Sequence, residues 1–162
     1  MRANTPRRNK LRRTPAFLLC VLSLACAAVA SGDQPAPGLK TRADAAEGKD
    51  RISYSLDYAH HELENANSLY ESGDVEKAEA SVAEVVTYAH RAAETAIAIN
   101  KHLKQTEIDL RKLQHRMHDI GATLAVEDRP VMDKGEQQVE QMRSELLTKM
   151  FGPKAEPKDK SQ

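Results

Sequence analysis

The fold is decided by fifty residues in the middle of the chain. Residues 75–124 read VEKAEASVAEVVTYAHRAAETAIAINKHLKQTEIDLRKLQHRMHDIGATL. Apolar side chains recur here in alternating steps of three and four residues, which is the periodicity of a coiled coil. The positions are Val75, Ala78, Val82, Val85, Ala89, Ala92, Ala96, Ile99, Leu103, Thr106, Leu110, Leu113, Met117, Ile120 and Leu124, and all but Thr106 are apolar. The pattern predicts one long helix over about residues 75–125.

Two shorter stretches on either side carry the same alternation. They predict helices over about residues 50–72 and about residues 130–151. Gly73 follows the first, Pro130 begins the second, and Gly152 ends it, as these residue types do at helix ends. Their apolar positions are Ile52, Leu56, Ala59, Leu63, Ala66 and Tyr70, then Met132, Gly135, Val139, Met142, Leu146 and Met150. The predicted fold is therefore all-α.

The three stretches also predict a packing register. In an antiparallel helical hairpin, the numbers of facing residues sum to a constant. A sum of 148 places mostly large side chains of the first helix against small ones of the long helix. Sums of 255–256 pair the apolar positions of the last helix with those of residues 110–124. One arrangement is a straight central helix of roughly 75 Å packed by two shorter helices in coiled-coil-like hairpins. The alternative is a compact bundle in which the long helix bends near Asn100.

Residues 1–30 have the pattern of a signal peptide. Six Arg and Lys residues without an acid precede a 15-residue apolar run, too short for a stable membrane span, which ends in Ala28-Val29-Ala30. This pattern predicts cleavage before Ser31 and export of the protein to the periplasm or the medium. A lipid anchor at Cys26 and twin-arginine export are weaker alternatives. Both cysteines lie in this segment, so the mature protein is expected to lack disulfides.

The rest of the chain divides into three parts. Proline and glycine predict a flexible linker over residues 31–49 and a disordered tail over residues 152–162, on either side of a helical domain over residues 50–151. Residues 31–162 hold 18 basic and 24 acidic side chains. This negative balance argues against nucleic acid as a partner. Removal of the signal peptide would leave no stable membrane span.

Histidine is the residue type here most suited to chemistry. His115 and His118 lie one turn apart and are the candidate metal ligands, but the helical pattern places both outside the apolar seam. Ordinary polar surface is therefore the preferred interpretation. The sequence contains no phosphate loop, nucleophile elbow or zinc-protease motif, so we expect no enzyme activity and no cofactor.

A second, weaker apolar stripe suggests a partner surface. It lies outside the main seam and consists of Tyr54, Tyr58, Ala83, Val86, Ala93 and Ile97. Helices that each bury only one apolar stripe gain little free energy from burial beyond the entropy that is lost on folding. We therefore expect this stripe to bind another protein or a second copy of the chain.

Residues Leu69 to Ala78, read LYESGDVEKA, resemble the inter-helix turn of a tetratricopeptide repeat. The resemblance implies a helical hairpin with a bias toward protein binding. The chain as a whole resembles the uncharacterised exported helical proteins of bacteria. Together these features predict a non-enzymatic, self-associating interaction or scaffold protein. The alternatives are a periplasmic chaperone-like or stress-binding protein and a weak histidine-mediated metal binder.

Overall fold

The computed structural model describes residues 38–152, which form five helices and contain no strand. About 87% of these residues are helical, which confirms the all-α prediction. The helices are α1 (Leu39–Ala45), α2 (Gly48–Glu71), α3 (Val75–Ile99), α4 (Leu103–Thr123) and α5 (Arg129–Phe151). The predicted signal peptide, residues 31–37 of the predicted linker and residues 153–162 of the predicted tail lie outside the described residues.

The long central helix over residues 75–125 is not continuous, so that prediction is wrong. Asn100 and His102 have φ angles of 51° and 60°, in the left-handed region. The Asn100 amide donates to the Ile97 carbonyl at 3.2 Å and the Lys101 amide to the Ala96 carbonyl at 3.3 Å. This is the hydrogen-bond pattern of a Schellman motif, which closes a helix with a left-handed residue, usually Gly and sometimes Asn. Asn100 therefore ends α3 as a glycine would.

The turn between α2 and α3 closes in the same way. Gly73 has a φ of 82°, and its amide donates to the Tyr70 carbonyl at 3.0 Å. The Asp74 amide donates to the Leu69 carbonyl at 2.9 Å. Asp74 occupies the N-cap position of α3, but its carboxylate accepts from Lys77 Nζ at 2.9 Å instead of capping the backbone. The boundary is thus set mainly by Gly73.

The four longer helices form two antiparallel hairpins, α2–α3 and α4–α5, packed against each other. Gly135 of α5 lies against Val82 of α3 and Met117 of α4. The α4 residue Arg116 forms a two-bonded ion pair with Glu64 of α2, at 2.7 and 2.8 Å. Helix α5 therefore packs on both α3 and α4, while α2 packs on α3 and α4. The bundle that bends at Asn100 is correct, and the elongated rod is wrong.

The predicted apolar seams form the core of this bundle. Of the seam positions, Tyr70, Val75, Ile99, Leu103, Leu124 and Met150 are partly exposed, and the others are buried. The Asn65 amide meets the Ser81 hydroxyl at 3.2 Å, and these position numbers sum to 146, two below the predicted 148. In α4–α5, His118 lies 3.4 Å from Glu136, and these position numbers sum to 254 against the predicted 255–256. Both hairpins therefore pack close to the predicted register, although the connection between them differs from the straight helix.

One ion pair lies almost inside the bundle. Arg143 of α5 donates to the Glu107 carboxylate of α4 through Nη2 at 2.9 Å and Nε at 3.2 Å. The two side chains are 16% and 9% exposed. Arg143 also donates to the Gln114 amide oxygen and to Glu140, so the guanidinium keeps several partners. Removal of either charge of the pair would leave the other poorly solvated.

The predicted linker is partly structured. Residues Leu39–Ala45 form α1, which folds back on α2, and Ala43 is fully buried. The prediction of a flexible linker is wrong for this part, because Leu39 and Ala43 find apolar partners that the local sequence does not reveal. None of the helices between residues 38 and 152 combines the length and apolarity that a membrane span requires.

Candidate interaction surface

Helix α1 covers three tyrosines that we call the tyrosine face: Tyr54, Tyr58 and Tyr88. The rings of Tyr58 and Tyr88 meet edge to face, with their centroids 4.4 Å apart. Both side chains are buried, and Tyr54 is partly exposed. Edge-to-face contact is a favoured geometry for aromatic pairs. The face therefore joins α2 to α3 and offers a mostly aromatic surface to α1.

Charged side chains of α1 hold it on this face. Asp44 accepts from Arg91 Nη1 at 2.5 Å and from the Tyr88 hydroxyl at 2.7 Å. Lys40 donates to Glu84, which also accepts from the Tyr58 hydroxyl. Each end of α1 is thus tied to α3 by a carboxylate that accepts from one cation and one tyrosine.

Cations also lie over the tyrosine rings. The Arg42 guanidinium is 4.2 Å from the Tyr54 centroid, and Lys40 Nζ is 5.8 Å from the Tyr58 centroid. Both distances fall within the range of cation–π attraction. The first turn of α1 therefore places two cations over tyrosines of α2.

The hydrogen bonds change the pKa of the groups that make them. Hydrogen bonding to Arg91 and Tyr88 lowers the pKa of Asp44 below its usual value. Burial, followed by the hydrogen bond to Asp44, raises the pKa of Tyr88 to about 12. Burial and the bond to Glu84 raise the pKa of Tyr58 as well. The carboxylates are therefore ionised acceptors and the tyrosines are neutral donors near neutral pH.

The attachment of α1 is nonetheless weak for a helix. A helix of seven residues is far below the length that is stable alone in water. Its apolar anchors are Leu39 and Ala43, and its ion pairs with Glu84 and Arg91 are partly exposed. Exposed ion pairs contribute about 0–1 kcal/mol each and are screened by salt. We therefore expect α1 to open more easily than the rest of the bundle.

The six residues of the predicted partner stripe have different positions in the structure. Tyr54 and Tyr58 lie beneath α1, as described above. Ala93 is buried, while Val86 and Ile97 are partly buried against the core, Val86 beside Gly135 of α5. Ala83 is exposed. Most of the stripe is therefore covered within the chain, because α1 folds over the two tyrosines and the turn at Asn100 brings α5 back beside Val86.

Several residues of the actual contact are absent from that prediction. Tyr88, Glu84 and Arg91 of α3 complete the face, and Lys40 and Asp44 bind it from α1. The spacing of Glu84, Tyr88 and Arg91 at four and three residues was an available signal, because it places all three on one side of α3. Nothing in the local sequence of residues 39–45 points to their partner.

The candidate metal ligands His115 and His118 do not meet at a common site. His115 Nε2 is 3.9 Å from Asp119, and His118 Nδ1 is 3.4 Å from Glu136 of α5. Both side chains are mostly exposed. Over residues 38–152, no group of three or more His, Cys, Asp or Glu side chains is placed to hold a metal ion. Each histidine is thus paired with its own carboxylate.

His60 is a titratable group in the contact between α2 and α4. It faces Asp57 and Glu64 of its own helix and Asp109 and Lys112 of α4. Burial lowers its pKa below the ordinary value, more strongly than these acids raise it. His60 is therefore held neutral where α2 and α4 meet, and its protonation opposes folding.

Comparison with known proteins assigns the chain to no family. No protein-family model, curated protein or solved structure matches it. The function is therefore argued from the residues and their geometry alone.

Proposed function

We propose that this protein is an exported, non-enzymatic helical scaffold that acts by binding proteins, above all a second copy of itself. Export is supported by residues 1–30, whose basic start, short apolar run and Ala28-Val29-Ala30 end are typical of a cleaved signal peptide. A role in binding rather than catalysis agrees with the absence of a catalytic motif from the sequence.

The observation that carries the proposal is the tyrosine face. Aromatic side chains are enriched at protein interfaces because they contribute large contact areas at a small entropic cost. Here they sit between two acid–cation pairs, Lys40–Glu84 and Asp44–Arg91, which give a docked helix both register and direction. A surface of this kind binds a short helix with a fixed charge pattern, and α1 is such a helix.

The proposal is tested by measuring the mass of the protein in solution. The protein is purified from the compartment to which cells export the full 162-residue chain, and its mature N-terminus is sequenced. Sedimentation equilibrium and light scattering over a wide range of protein concentrations are expected to show reversible association. A mass that stays at one chain at every concentration would contradict self-association. An N-terminus other than Ser31 would contradict the assigned cleavage site.

A further inference from the structure

We propose that two copies of this protein associate by exchanging α1, each α1 docking on the tyrosine face of the other copy. This inference rests on the proposed self-association and names the surface and the segment that perform it. The exchanged segment is called the arm and comprises Leu39–Ala45. Exchange of an identical element between protomers is a low-energy route to a dimer, because the contacts inside the monomer are made again between chains.

The connection between the arm and α2 has the features of a hinge. Ala46 and Glu47 are extended, with ψ angles of 158° and 161°, and Gly48 follows with a φ of 53°. Alanine and glutamate are strong helix formers, so residues 45–47 favour the helical state that the closed hinge denies them. The Arg51 side chain holds the closed form by donating to the Ala46 carbonyl at 2.6 Å. A straightened hinge would join α1 and α2 into one helix.

The register of the arm on α2 suits a twofold dimer. The facing pairs Lys40–Tyr58 and Arg42–Tyr54 have position numbers that sum to 98 and 96. Two continuous helices that cross antiparallel with these same pairs are symmetric about residues 48 and 49. Such a contact is isologous, as closed dimers require.

The charges allow the exchange to be detected. In one variant, Asp44→Arg places an arginine of the arm opposite Arg91. In a second variant, Arg91→Asp places an aspartate of α3 opposite Asp44. Either variant alone has this mismatch within a chain and between identical chains. In a mixed dimer, each arm meets an opposite charge on the partner's face. Mixing therefore restores both ion pairs, but only if the arms cross between chains.

The first experiment compares sedimentation of the two charge variants alone and in equal mixture, with one variant fluorescently labelled. We expect heterodimers to form in the mixture in preference to the homodimers of either variant. The chain with both substitutions restores the pair internally and controls for folding, together with the helical circular dichroism of each variant. A mixture that behaves as the sum of its components would overturn the exchange.

The second experiment straightens the hinge. In Gly48→Ala, the closed monomer carries a left-handed alanine, whereas the continuous helix gains a better helix former. This strain shifts the equilibrium between the closed and the straightened hinge roughly tenfold in each chain. Because a dimer contains two chains, its association constant is expected to rise by about a hundredfold. Gly73→Ala is the matched control, since Gly73 also has a positive φ and free space around its Cα but lies between α2 and α3. An equal effect of both substitutions would overturn the hinge assignment.

The outcomes separate this inference from the proposed function. If the wild type and both charge variants associate but the mixture shows no preference for heterodimers, another face joins the copies, so that arm exchange is refuted and self-association stands. If neither the wild type, the mixture nor Gly48→Ala associates at any concentration, both ideas are refuted.

Discussion

The surroundings of Gly135 and Gly121 predict that the same substitution, glycine to alanine, changes the free energy of unfolding in opposite directions at the two positions. A Cβ atom at Gly135 would lie 2.8 Å from Met117 Cε and 3.1 Å from Val82 Cγ1. A Cβ atom at Gly121 would lie 3.4 Å from Met132 Cγ, an ordinary contact distance. Both glycines are helical, so alanine improves helix propensity at both. Only at Gly135 does it also overfill the core.

The magnitudes follow from these two effects. In a helix interior, Gly→Ala is worth about 1 kcal/mol, and less in the last turn, where Gly121 lies. Overpacking of a core typically costs about 1–3 kcal/mol. We expect Gly121→Ala to raise the free energy of unfolding by about 0.5 kcal/mol. We expect Gly135→Ala to lower it by about 1 kcal/mol, since Met117 Cε can move aside but the branched Val82 is held on α3.

The assay is urea unfolding followed by far-ultraviolet circular dichroism, with both variants and the wild type measured together. A double-mutant cycle locates the cause: Val82→Ala removes the Cγ1 atom and is expected to be less damaging beside Gly135→Ala than in the wild type, with a coupling of about 1 kcal/mol. If both glycine variants are stabilised alike and the cycle shows no coupling, the close approach of α5 to α3 is refuted.

Substitutions at Asn100, Arg143 and His60 test other parts of the bundle. Asn100→Ala is expected to lower the free energy of unfolding by about 1 kcal/mol and Asn100→Gly to raise it slightly, because of the left-handed φ; thermal unfolding measures both. In the same assay Arg143→Ala should lower it by roughly 3 kcal/mol, since the mostly buried Glu107 is then left with only the longer contact to Arg111, at 3.8 Å. Arg143→Met with Glu107→Leu should recover most of the loss. Because the pKa of His60 is lower in the folded than in the unfolded chain, the unfolded state binds more protons, so stability should fall as the pH drops through about 6.5. Urea unfolding at several pH values should show this dependence reduced in His60→Gln and kept in the control His90→Gln; an unchanged dependence in His60→Gln would contradict the burial argument.

The sequence predicts the helices and their buried faces well, because the side chains that are buried on one face of a helix recur at intervals of three and four residues. The seam residues Leu63, Val85 and Leu113 are fully buried, as the three-and-four alternation requires. Gly73 and Gly152 predict helix ends because their residue type is a strong signal. The two hairpin registers follow from the same alternation once antiparallel pairing is assumed.

The sequence does not decide between a straight helix and a bend near Asn100, because the alternation continues through this residue. Ile99 and Leu103 keep a step of four although α3 ends at one and α4 begins at the other. A three-residue connection preserves the phase of the pattern while reversing the chain, so periodicity alone cannot separate a straight helix from a hairpin. The decisive signal is one asparagine, a residue type that also occurs within helices.

The same break explains why the candidate site was only partly predicted. Val86 and Ile97 are apolar because α5 covers them, and α5 reaches them only after the reversal at Asn100. Tyr58 was identified as outside the seam, but its contacts with α1 depend on a segment whose composition is typical of a linker. Tertiary pairing of this kind is not encoded in local periodicity.

The reversal at Asn100 also sets the order in which apolar surface is hidden as the chain is made. The α2–α3 hairpin is complete before α5 has been synthesised, since domains assemble from the N-terminus onward. Until α5 arrives, Val86 and Ile97, which lie beside it in the complete bundle, remain open to water and to other nascent chains. Truncation before residue 129 should therefore yield an aggregating product rather than a smaller soluble bundle.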